Sequence, residues 1–215
     1  MAFREDYARL PQMKYVPHPS TSQRSAICNE HGYGLIASSG DAPRVILLGM
    51  THPEGKIKQI DDLLGLLRQI INTGDVIAIE GARGKITKDT AQEGSLAYRL
   101  LQDQSNKDCV LLHNENDRLV ARGYTAQYRL KTGLSEYAAR AFFENTKARD
   151  EAMCMDPEFG LISLAKKGGP SNKVVQIAGI WHVWLKNIET YLIQAQLPYE
   201  VYVPKEFVEQ RSLDK

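Results

Sequence analysis

The chain has 215 residues, 43% apolar and 25% charged, and a length like this buries roughly 70% of the surface exposed on unfolding, so no disulfide or metal staple is required. A formal net charge of +1, without a basic stripe interleaved with aromatics, removes the electrostatic case for nucleic acid. Cys28, Cys109 and Cys154 are scattered, the first residues lack a signal-peptide core, and no apolar run approaches the ~20 residues of a membrane span, so a cytoplasmic location is expected, with export by a route lacking a cleaved signal as the alternative.

Residues 1 to 32 read as an irregular N-terminal arm, because Pro11, Pro17, Pro19 and the Ser20-Thr21-Ser22 run interrupt any periodicity. A single α/β domain is expected over 33 to 215. Two strand candidates, Tyr33 to Ser38 and Arg44 to Leu48, flank Gly40-Asp41-Ala42-Pro43, which predicts a hairpin with residues 33 to 38 as an antiparallel edge strand. Ile57, Ile60, Leu63, Leu64, Leu67, Ile70 and Ile71 keep helical spacing up to Gly74. Val76 to Glu80 is the next strand, Ser95 to Gln104 a short helix, and Cys109 to Leu112 a third strand ending in His113-Asn114-Glu115-Asn116-Asp117-Arg118. A long helix is expected from Leu134 to Met155, a flexible loop at Lys166 to Asn172, a fourth parallel strand from Val174, one helix from Trp184 to Ala195, and a last strand from Tyr199 to Val203. Alternating strands and helices predict a three-layer α/β/α fold around a mainly parallel sheet.

Two of the apolar strands end in the same motif. Val45 to Leu48 runs into Gly49-Met50-Thr51-His52, and Val174 to Ala178 into Gly179-Ile180-Trp181-His182. Between them in sequence, Val76 to Ile79 ends in Glu80. Continuous apolar runs are the mark of parallel strands buried on both faces, and ligands of open α/β sheets gather beyond the carboxyl ends of such strands. Two imidazoles and a carboxylate are thus expected at one sheet edge. That trio can hold a divalent metal with positions left for water and substrate, or run acid/base chemistry without one.

Other residues are placed around this trio. Arg149 falls in the apolar stripe Leu134, Tyr137, Ala138, Ala141, Asn145, Ala148 and Ala152, and so needs a partner such as Glu80. Asp150 projects to the opposite helix face on this geometry. Arg83 is a candidate for a substrate carboxylate, Glu115 or Asp117 for a further polar contact, and Trp181 and Trp184 for an apolar wall. No phosphate loop fits Gly84-Lys85, and neither a dinucleotide fingerprint nor a serine-hydrolase elbow is present.

The order of these motifs (hairpin, Gly49-x-x-His52, Glu80, Arg149-x-x-x-Met153 and Gly179-x-x-His182) resembles the TraB/TIKI superfamily, a group that includes erythromycin esterase and the haem-binding protein ChaN. The likeness covers residues 33 to 203. It implies an α/β/α fold and, in the enzymes, hydrolysis of a peptide or ester bond in a peptide or small-molecule substrate. His52, Glu80 and His182 would form the catalytic or metal-binding set, with Arg149 in support and manganese or cobalt as the ion the resemblance favours; zinc or iron suits the same donors. The alternative is a ligand-binding or regulatory protein in which a histidine ligates haem. Asp150 departs from the asparagine usual after the arginine, and the segment after the third strand matches only through Asp117-Arg118.

Overall fold

The computed structural model describes residues 17–40, 42–51, 57–103, 109–131, 136–169 and 171–208. Its centre is a seven-stranded sheet in the order β1-β7-β2-β6-β3-β5-β4. The strands are β1 (Tyr33–Ser38), β2 (Val45–Met50), β3 (Val76–Ala82), β4 (Gly84–Lys85), β5 (Val110–Glu115), β6 (Val174–Gly179) and β7 (Tyr199–Pro204). The five inner strands run parallel, and β1 and β4 close the edges antiparallel to β7 and β5.

Side chains alternate across the pleat, so each inner strand feeds two cores. Ile46, Leu48, Ile77, Ile79, Val175 and Ile177 face one layer, made by α1 (Thr21–Glu30), α2 (Ile57–Ile70) and α3 (Leu96–Gln102). Val45, Leu47, Val76, Ala78, Leu112 and Val174 face the other. That second layer holds α5 (Glu136–Met155), α6 (Leu161–Lys167), α7 (Ile180–Trp184) and α8 (Asn187–Gln194), while α4 (Asp117–Lys131) packs on α5. The fold is therefore three-layer α/β/α with a mainly parallel sheet. No helix among the described residues is long and apolar enough to cross a membrane.

The expected hairpin is not formed. β1 is an antiparallel edge strand, but its partner is β7, which lies between β1 and β2. The reason is burial: all six residues of β7 are buried, so it takes an inner place, and the link after β1 steps across its start through Ser39 N–H to Tyr199 O and Arg44 N–H to Pro198 O.

The N-terminal arm is also less irregular than its prolines imply. Residues 1–16 lie outside the described part, but Thr21–Glu30 is helical, started by a reciprocal capping box between Ser20 and Gln23. Its buried Arg24 makes two hydrogen bonds to Glu200 of β7, at 2.5 and 2.8 Å.

Further differences lie at element ends. β5 continues through His113 and Asn114 to Glu115, and α4 follows where a solvated loop was expected. Lys166 and Lys167 close α6 rather than opening a loop. The helix expected from Trp184 to Ala195 is α8, which starts later, at Asn187, after Lys186 takes φ 58°, and a separate short helix, α7, precedes it.

Candidate functional site

β2 and β6 are neighbours, yet the chain leaves β2 for α2 on one face and β6 for α7 on the other. Diverging connections open a crevice at the carboxyl ends of such strands. Glu80, Glu115 and His182 meet beside it, beyond the carboxyl ends of β3, β5 and β6 and under Arg149 of α5.

A one-residue bulge sets Glu80. Between the pairs Ile79–His113 and Ala82–Glu115, β3 spends one residue more than β5, and the extra residue is accommodated at Glu80-Gly81. Gly81 has φ 149°, and a Cβ on it would lie 2.6 Å from the His113 ring. His113 itself turns back, with Nδ1 3.2 Å from Ile79 O. It is a wall of the bulge rather than a site group.

The carboxylate of Glu80 is then held from three sides. Gly179 N–H donates to Oε2 at 2.6 Å, the Arg149 guanidinium donates to Oε1, and His182 Nε2 stands 3.5 Å from Oε1. Arg149 Nε–H also donates to Glu115 Oε1 at 2.6 Å. On the far side of the imidazole, His182 Nδ1 lies 2.5 Å from Asp150 Oδ1, and Asn187 Nδ2–H donates to Asp150 Oδ2 at 2.7 Å. The chain of contacts runs Asn187–Asp150–His182–Glu80–Arg149–Glu115.

Asp150 thus corrects the sequence expectation that it faces away. Successive residues on a helix are 100° apart, and α5 is buried over a wide arc because it packs on α8 as well as on α4 and β5. Asp150 is fully buried and Arg149 largely so. Asn187 was not anticipated either: it opens α8 just after the left-handed Lys186, a break that no glycine announces.

Electrostatics separate the carboxyls. Burial alone would raise Glu80, but His182, Arg149 and the Gly179 amide outweigh it and hold its carboxyl well below the usual range. Burial raises Glu115, and Arg149 offsets this only in part while Glu80 adds to it. Burial likewise raises Asp150 against the pull of His182 and Asn187. Burial would lower His182, yet Asp150 and Glu80 together hold it up at about 9. Two cations facing three carboxylates leave one proton to place, and buried charge favours the neutral arrangement. Glu115 and Asp150 are both pushed upward by burial, and of the two only Glu115 keeps a buried oxygen, Oε2, without a hydrogen-bond partner among the described residues.

A cavity of about 440 Å³ adjoins Glu115 and is lined by Arg83, Asn114, Glu151 and Asp156 among others. Arg83 is occupied: its guanidinium pairs with Asp156 and Glu158 and lies 4.8 Å over the Phe159 ring. Asp117, at the start of α4, accepts from Arg83 N–H. Trp181 is 47% exposed and meets Phe142 and Phe143 edge-on, and Trp184 meets Phe207. His52, the remaining member of the expected trio, lies outside the described residues.

Glu80, Glu115 and His182 offer ligand atoms within 4.8 Å of one another, a spacing that suits a divalent cation. Arg149 competes for it, since its guanidinium already joins Glu80 to Glu115. An ion between these carboxylates would have to displace it. Both ring nitrogens of His182 face carboxylates, an arrangement that offers haem iron no free axial nitrogen there. The cysteines stand apart from this site; burial pushes the Cys28 thiol up to about 12 and Cys154 higher still. Comparison with known proteins finds no matching family model, no matching curated protein and no matching solved structure.

Proposed function

We propose that the protein hydrolyses an amide or ester bond by acid/base and electrostatic catalysis at the Glu80–His182–Arg149–Glu115 cluster. The observation that carries this is the splitting of two neighbouring carboxyls: Glu80 is held ionised, and Glu115 is pushed toward its protonated form with one oxygen unpartnered beside a cavity. Carboxyls driven apart in this way take different roles.

In this reading Glu115 moves the proton. Water adds to the carbonyl carbon, the tetrahedral adduct expels the oxygen or nitrogen with the proton that Glu115 gives it, and the surplus proton of the added water passes to Glu115, so one water is consumed and the carboxyl is restored. Arg149, which bonds Glu115 directly, is the group that would offset the negative charge that develops. Glu80 and Asp150 are positioning groups, fixing Arg149 and the ring. The likeness to the TraB/TIKI superfamily supports the same reaction class, and there His52 is the further candidate for activating water.

The test is turnover of a panel of chromogenic esters and peptide amides by the full chain. Cleavage by the native protein is expected, with a loss of about 10²–10⁴-fold in Glu115→Gln at unchanged circular dichroism. Absence of cleavage across the panel, or full activity in Glu115→Gln, ends the reading. A metal-assisted version is the second reading, favoured by the 4.8 Å spacing of the three donors. Glu115, His182 and Glu80 would hold the ion, which would supply Lewis-acid activation of water. Dialysis against a chelator separates the two: activity that survives supports the first, and activity lost and restored by manganese supports the second.

A further inference from the structure

We infer that Arg149 is the resident cation of the Glu80–Glu115–His182 cluster. Its guanidinium fills the position a divalent ion would take, so the native chain holds no ion there, and loss of that side chain turns the cluster into a metal site. This goes beyond the hydrolase reading, because it concerns binding and is measured without turnover. It also decides between the two forms of that reading.

The donors by themselves would suit an ion. Glu80, Glu115 and His182 offer ligand atoms within 4.8 Å of one another, and two carboxylates with an imidazole are an ordinary set for a divalent transition metal. The likeness to the TraB/TIKI superfamily implies an ion as well. The carboxylate oxygens are engaged, however. Arg149 Nε–H donates to Glu115 Oε1 at 2.6 Å, and a terminal N–H of the same group donates to Glu80 Oε1. Glu80 Oε2 accepts from Gly179 N–H at 2.6 Å. A guanidinium is a planar fork that meets two carboxylates at once, and in a protein it does not give up its charge. An ion on the same oxygens would face that charge at close range, so the two exclude each other.

The fold leaves the guanidinium little room to swing aside. The Arg149 side chain is 13% exposed, and α4 closes the side away from the carboxylates. A Cβ on Gly123 of α4 would lie 3.1 Å from Nη1 and 3.6 Å from Cδ of Arg149. Asn145 ties the two helices together there, donating Nδ2–H to Leu119 O at 3.2 Å. Glycine is unfavourable within a helix, and here its missing side chain is the space the arginine uses. Carboxylates in front and a bare stretch of helix behind make a berth for this side chain. Displaced from it, a largely buried guanidinium would lack partners, which is costly.

Titration calorimetry of full-length chains with manganese chloride tests the inference on the native protein, on Arg149→Met, and on Arg149→Met combined with Glu115→Gln. The native chain is expected to show no binding at this cluster up to millimolar manganese. Arg149→Met should bind about a hundredfold more tightly than that limit, because two charge-assisted hydrogen bonds no longer have to be broken. Adding Glu115→Gln should abolish the gain. If Arg149→Met does not fold, Arg149→Gln, which keeps an amide donor toward the carboxylates, carries the same expectation. Manganese bound by the native chain and weakened by Glu115→Gln overturns the inference. So does an Arg149 variant that binds no more tightly than the native chain, or one whose binding survives Glu115→Gln. The expected pattern in a chain that cleaves none of the ester and amide panel keeps the inference and removes the hydrolase reading. Cleavage that requires manganese does the reverse: it removes the inference and keeps hydrolysis in its metal-assisted form.

Discussion

Asp150 and His182 form a pair in which the carboxylate dictates how the ring behaves. Asp150 Oδ1 lies 2.5 Å from Nδ1, and with Glu80 it outweighs burial and holds the imidazole at about 9. Replacing Asp150 by Asn removes one of the two charges, so the His182 pKa should fall from about 9 toward the ordinary 6.5, which NMR titration of the ring reads directly. The same residues set how stability varies with pH. A ring raised on folding contributes fully below 6.5, and that contribution, about 3 kcal/mol, is lost as pH rises through about 9. Glu115, raised by burial, adds to this decline above 4.5. Glu80 acts in the opposite sense: held low, it stabilises above 4.5 and loses that contribution as pH falls. Chemical denaturation across pH should therefore give greatest stability at about 4.5, falling below it through Glu80 and above it first through Glu115 and then, beyond about 6.5, through the ring as well. A flat profile from pH 6 to 9.5 contradicts the charged ring.

At the scale of the element, two glycines decide whether the network can form. Gly81 sits in the bulge at φ 149° with the His113 ring against it, so Gly81→Ala should cost about 1–3 kcal/mol by denaturant melt and turn the Glu80 carboxylate out of line. Gly123 of α4 matters for space alone: a Cβ there would lie 2.9 Å from Asn145 Oδ1 and 3.1 Å from an Arg149 terminal nitrogen. Gly123→Ala should push the guanidinium off its two carboxylates, lowering turnover more than stability. Equal activity with an unmoved Arg149 in a crystal structure of that variant would count against it.

These elements differ in how far they could be read beforehand. β2, β3 and β6 are legible because strands buried on both faces write unbroken apolar runs, and their ends placed Glu80 and His182 correctly. Arg149 was legible because a charge in an apolar stripe demands a partner. The burial of Glu115 was not, since His-Asn-Glu reads as solvated loop until Arg149, 34 residues on, neutralises it. Asp150 was lost to the assumption that one helix buries one face. α1 did carry its start signal, the Ser20…Gln23 capping box, behind the prolines that hid it.

Across the whole molecule, α1 is tied to β7 by a buried ion pair set within the apolar layer that Cys28 and Tyr202 share. Arg24 and Glu200 are both wholly enclosed, with Tyr202 O–H donating to Glu200 Oε2 at 2.9 Å and Arg24 bonding Pro19 O. Removing one partner strands the other charge, so Arg24→Ala should cost about 3–5 kcal/mol, whereas the double change to Met at 24 and Leu at 200 should cost far less. Guanidinium melts of the three proteins check this; a single variant as stable as the native chain would contradict it.

The place of β7 between β1 and β2 imposes a timetable on synthesis. When residues 33 to 50 leave the ribosome they cannot zip into a hairpin, because the berth separating them belongs to residues 199–204, almost the last part of the sheet to be translated. β1 waits without its partner until residues 199–204 emerge and docks only with them. Assembly that hangs on so distant a pairing is slow. A nascent chain halted once residue 190 has cleared the exit tunnel should leave amides 33 to 38 open to hydrogen exchange while β2, β3 and β6 are already shielded.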